Sequence, residues 1–138
     1  MINSVLFIWS ILFFGFSCNV SKQTNVSELQ RVWMLTEFDT FSKSEMMSKS
    51  ASLDLTKMTN APAFMGCNHI SFVFKVSKNN KIKFTDGVST EMACPEMNIE
   101  QKFVEKLPKI NSYKVEGHRL YLTGDQNLKM VFVAQDWD

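Results

Sequence analysis

Short runs in which apolar and polar residues alternate recur along most of this chain, and that period of two constrains its fold more than any other feature. Residues 70–76 (ISFVFKV) show it most clearly, with Ile70, Phe72, Phe74 and Val76 sharing one face. Successive side chains of an extended strand point to opposite faces, so this segment is predicted as a half-buried β-strand. Ser77-Lys78-Asn79-Asn80 reads as a turn. Lys81 to Thr85 then resumes the alternation with Ile82 and Phe84 inward. Two such runs about a short polar turn predict a hairpin.

The pattern repeats elsewhere. Arg31 to Phe38 reads as a first strand, with Trp33, Leu35 and Glu37 on one face and Val32, Met34, Thr36 and Phe38 on the other. Residues 40–50 have no clean period and are rich in serine, which predicts a surface loop. Ser52 to Met58 alternates through Leu53 and Leu55, Asn60-Ala61-Pro62 reads as a turn, and Val88 to Met92 as a short strand. Three strands are expected at the end: Asn111 to Glu116, His118 to Thr123 and Leu128 to Ala134. One helix is predicted, from Pro95 and Glu96 to a stop at Pro108. Ile99, Phe103 and Leu107 recur at helical spacing, with Val104 widening the stripe. Lys102, Lys106 and Lys109 gather toward its C-terminal end, where cations suit the helix dipole. Many short strands and one helix predict a mainly β domain, a small antiparallel barrel or sandwich crossed by one α-helix.

The first residues follow different rules. Val5 to Phe16 (VLFIWSILFFGF) is apolar but for Ser10 and Gly15. A membrane-spanning helix needs about 20 such residues. This run has the length of a signal-peptide core, roughly 7–15 residues. Residues 1–17 are therefore read as a targeting segment, 18–28 as a polar tether, and 29–138 as one folded domain. Cys18 follows the small residue Ser17 and resembles the lipid-attachment cysteine of bacterial lipoproteins. Ordinary cleaved secretion and a retained apolar helix remain as alternatives. Lipidation would tie the chain to a membrane, at about 0.8 kcal/mol per buried CH₂. The expected location is then the cell envelope, at the outer membrane and facing the periplasm or the surface. The formal net charge of +1 in 138 residues provides no electrostatic case for a nucleic-acid partner.

Three cysteines remain to be accounted for. If Cys18 carries lipid, Cys67 and Cys94 are an even pair, and export makes a disulfide between them the expected state. It would close a loop of about 28 residues, worth about 3.5 kcal/mol through restriction of the unfolded chain.

Around these cysteines the chain resembles the META domain family, which includes the HslJ heat-shock proteins. The residues that carry the resemblance are Gly66-Cys67-Asn68, then a strand and hairpin, then Thr90-Glu91-Met92-Ala93-Cys94 and a helix with Glu100, Phe103 and Leu107. Trp33-Met34-Leu35 matches the opening strand, and Leu120-Tyr121-Leu122 with Leu128 to Phe132 the closing hairpin. One departure stands out: the family pattern has glycine and tyrosine where this chain has Phe72 and Phe74. The resemblance implies a compact β-barrel-like domain with one helix, exported or lipid-anchored, linked to heat and envelope stress. It brings no catalytic residues to carry over.

Two site hypotheses compete with plainer readings. Cys67, His69, Met92, Cys94 and Met97 could supply sulfur and imidazole to a soft metal; a disulfide with packing methionines is the plainer account, and no metal or cofactor is predicted. His69 and His118 are the only histidines, and neither lies in a recognisable catalytic motif, so no enzyme activity is expected. Two functions remain: a non-catalytic envelope lipoprotein acting on an unidentified envelope protein, or a barrel that binds a small apolar ligand through residues such as Phe64, Phe72, Phe74 and Phe84. An accessible lined cavity above about 300 Å³ would favour the ligand, a filled barrel the protein contact.

Overall fold

The computed structural model describes residues 25–137. The targeting segment, residues 1–17, and the lipidation residue Cys18 lie outside the described residues. In chain order the elements are helix α1 (Val26–Leu29), strand β1 (Val32–Phe38), helix α2 (Lys43–Ser48), and strands β2 (Ser52–Asp54), β3 (Asn60–Phe64), β4 (His69–Ser77), β5 (Lys81–Phe84) and β6 (Val88–Ser89). Helix α3 (Asn98–Lys106) runs into a 3-10 turn (Leu107–Lys109), and β7 (Ile110–Glu116), β8 (Arg119–Gly124) and β9 (Lys129–Ala134) complete the fold. Among the described residues no helix is long and apolar enough to cross a membrane.

The strands close on themselves. Eight of them pair antiparallel in the cyclic order β1-β2-β3-β4-β5-β7-β8-β9, with β9 returning to β1. The ninth, β6, lies along β4 through Ile70↔Ser89 and Ser71↔Val88, beyond the end of β5. An eight-stranded barrel is just wide enough for inward side chains to fill it. Trp33, Leu35, Leu53, Phe72, Phe74, Phe84, Leu120, Leu122 and Phe132 do so, each at most 1% exposed. The core is drawn entirely from residues between Leu29 and Ala134. α1 is tied to it by Leu29, whose carbonyl accepts the buried Trp33 indole N–H at 2.9 Å. The thinnest seam is β5–β7, with the single register pair Lys81↔Ser112 and the bond from Tyr113 N to Asn80 O.

The β4–β5 hairpin forms as its pattern requires. Ile70, Phe72 and Phe74 are buried on one face and Ser71, Val73 and Lys75 exposed on the other. Asn79 and Asn80 both take positive φ, 60° and 55°, which suits the right-handed twist of a tight hairpin.

Elsewhere the structure departs from the sequence reading. Residues 43–48, expected within a loop, form α2. Ser42 Oγ accepts the Glu45 N–H while the Glu45 carboxylate accepts the Ser42 N–H, a capping box, and the fully buried Met46 pins the helix to the core. Asn60-Ala61-Pro62, expected as a turn, lies in β3. The β2 ladder reaches only Ala63, so Pro62 withholds no bond from it. In β1 the register with β9 slips between Leu35 and Glu37. The extra residue of that bulge reverses the alternation, so Glu37 is exposed and Phe38 buried. Helix α3 begins at Asn98, later than Pro95 and Glu96, because Glu96 takes a φ of 59°. Pro108 ends the α-helix but sits inside the 3-10 turn.

Candidate functional site

The cysteine motifs build a clasp at the start of β4. Gly66 sits at φ 105°, and a Cβ there would fall 2.8 Å from Lys49 Cβ, so glycine suits both the backbone and the space. The next residue, Cys67, is joined to Cys94 across a Cα separation of 6.1 Å. Then comes Asn68, 2% exposed, whose side-chain amide acts as an added strand partner. Its Oδ1 accepts from Met92 N at 2.8 Å and Thr90 Oγ1 at 2.9 Å, and its Nδ2 donates to Met92 O at 3.2 Å. The spacing of Thr90, Met92 and Cys94 is thereby explained: two residues meet the asparagine and the third meets the cysteine.

The clasp extends to α3. The buried Glu100 carboxylate accepts Asn68 N and Asn68 Nδ2, each at 2.7 Å. A buried carboxylate needs such donors in place of water. The pairing of Asn68 with Glu100 is absent from the sequence reading. Its signals are the presence of both residues in the motifs that carry the family resemblance, and a glutamate set between Ile99 and Phe103, on the face of α3 that turns inward.

The five residues considered for a soft metal do not form a ligand set. Both cysteine sulfurs are used in the disulfide, Met92 is 51% exposed, and the His69 ring lies against Phe64 at 5.2 Å. Among the described residues no group of three or more histidine, cysteine or acidic side chains is placed to hold a metal. His118 stacks on Trp137, with ring centroids 3.4 Å apart.

Open surface of a distinct chemistry lies beside β5. There a groove of about 1460 Å³ is lined by Lys75, Lys81, Lys83, Lys106, Lys109 and Lys129, against three carboxylates, Glu37, Asp39 and Asp125. Some of these charges are matched. Lys109 and Lys106 both bond Glu105 and hold its carboxyl below the usual range. Lys129 meets Glu37 at 3.3 Å. Asp39 pairs with Lys102 and raises the pKa of that ammonium. Lys75 and Lys83 stand directly opposite each other across β4 and β5, and among the described residues no carboxylate bridges either. Like charges in that position repel.

Comparison with known proteins bears on the whole barrel. The META domain matches residues 26–137. The chain is a member of the META domain family. The barrel of this META protein resembles a solved structure from Burkholderia xenovorans, with a TM-score of 0.65 and 18% identity over 83% of this chain and 90% of that one. It also resembles a DUF4847 family protein from Bacteroides vulgatus, with a TM-score of 0.59 and 10% identity over 83% of this chain and 100% of that one. Both are likenesses of fold. No curated protein matches the chain.

Proposed function

We propose that this META protein is an exported, lipid-anchored, non-catalytic protein of the cell envelope, acting through contacts made on the outside of its barrel in a stress-related role. The observation that carries this reading is the filled interior. Of the four aromatics considered for an apolar ligand, Phe72, Phe74 and Phe84 are packed to 1% exposure or less, with Phe74 and Phe84 stacked at 5.7 Å, and Phe64 is half-buried. The groove beside β5, which Phe84 reaches, exceeds about 300 Å³ but is open and flanked by charged side chains. Recognition then falls to the outer surface, where the groove beside β5 carries six lysines and three carboxylates. Two further features support export and anchoring: the apolar run that ends at Cys18, and the Cys67–Cys94 bond, of a kind that persists in oxidising compartments.

Mass spectrometry of the mature protein recovered from membranes tests the anchor. The expected species begins at an acylated Cys18 and has no free thiol. A mature chain with an unmodified Cys18 overturns it. Crosslinking of the lipidated protein in envelope fractions tests the mode of action. Captured partners should map to outward side chains, whereas recovery of a bound apolar small molecule would replace the proposal with the ligand reading.

A further inference from the structure

We infer that the outward face of the β4–β5 hairpin is a membrane-facing surface that engages anionic lipid headgroups through Lys75 and Lys83. The orientation rests on the proposed lipid anchor; the binding is measured without it.

Two observations converge on this face. The first is its charge. Lys75 and Lys83 are exposed and directly opposite, with Ser77 and Lys81 forming the next pair along. A pair of unbridged ammonium groups on adjacent strands weakens the hairpin, and an external anion relieves that repulsion. The second observation is where the chain enters. Val26, in the first helix, lines an open hollow together with Met58, Val73, Lys75 and Lys78. Val26, the second of the described residues, therefore sits on the same hollow as Lys75 and Lys78. Val26 and Val73 are 38% and 50% exposed, adding apolar surface to the same side.

Geometry then limits which side can face the bilayer. From Cys18 to Val26 the chain reaches at most about 28 Å, whatever its conformation. A domain of this size has a radius of about 17 Å, so passing to its opposite side takes about 50 Å. An acyl anchor plus a basic patch is also the pairing that makes membrane attachment stable.

The test uses two preparations. The processed chain carrying Cys18→Ala is mixed with vesicles of phosphatidylcholine alone or with 30 mol% phosphatidylglycerol. Binding should occur only to the anionic vesicles and should be lost at high salt, where screening is short-ranged. Each neutralised lysine should weaken it about fivefold, so K75Q/K83Q should weaken it about twenty-five-fold. K114Q/R119Q, which removes equal charge from β7 and β8, should bind nearly as the parent does. Circular dichroism establishes that each variant is folded. Equal binding to both vesicle types, or equal loss in the two double variants, overturns the inference.

In the second preparation the lipidated protein, in vesicles containing phosphatidylglycerol, is acetylated and mapped. Protection of Lys75 and Lys83 relative to Lys129 is expected; uniform modification overturns the orientation. An unmodified Cys18 would defeat the anchor while leaving the vesicle result to stand by itself.

Discussion

Phe72 shows how one side chain reshapes its surroundings. In the family pattern this position is glycine; here a phenyl ring is fully buried and meets Phe103 edge-on at 6.0 Å. Room for it comes from Gly87, where an added Cβ would fall 2.6 Å from Phe72 Cε1 and 2.9 Å from Ile70 Cγ2. Gly87→Ala should therefore cost about 1–3 kcal/mol through overpacking, read as a lower denaturant midpoint. Shortening the ring with Phe72→Leu in the same chain should recover part of the loss. Asn68 carries a different burden, since four of its bonds close the clasp. Asn68→Ala should destabilise by about 2–3 kcal/mol, because a buried carboxylate loses one of its two donors. Glu100→Gln should also destabilise, by about 1–3 kcal/mol, because the amide keeps an acceptor for one Asn68 donor but turns its own N–H groups toward the other.

Helix α2 is short, and its cap matters accordingly. Bonds from the Ser42 backbone and side chain hold the Glu45 carboxyl below its ordinary value. A carboxyl depressed in the fold adds stability above its unfolded value and loses it as pH falls through the folded one. Ser42→Ala should cost about 1 kcal/mol at neutral pH, and the difference from the parent should shrink in acid. Urea unfolding of both proteins along a pH series measures this. The S-x-x-E spacing of Ser42 and Glu45 was legible in the sequence, but a serine-rich stretch with only one inward residue, Met46, shows no period. The bulge in β1 was hidden for another reason: its register is set by β9, almost a hundred residues away.

For the molecule as a whole, the Cys67–Cys94 bond constrains a long segment that includes β4, β5 and β6. Reducing it should remove about 3.5 kcal/mol and lower the thermal midpoint by about 10–20 °C, seen by calorimetry with and without reductant. The barrel should persist in the reduced state at low temperature, because its core does not depend on the bridge. Its weakest closure, β5–β7, should exchange amide hydrogens faster than β8–β9, where five register pairs are formed.

Local chemistry was enough to place most strands, the hairpin turn at Asn79-Asn80, the long helix and the cysteine pair. Each of these depends on neighbours within a few residues, or on a count of thiols. The META family, too, was readable from the Gly66-Cys67-Asn68 and Thr90 to Cys94 motifs. Other features required the closed fold. The inward turn of Phe38, the strand at Pro62, the Asn68–Glu100 bond and the hollow shared by Val26 and Lys75 all join residues distant in sequence. Period and propensity report which face of a segment is apolar; only closure of the eight strands decides what each face meets.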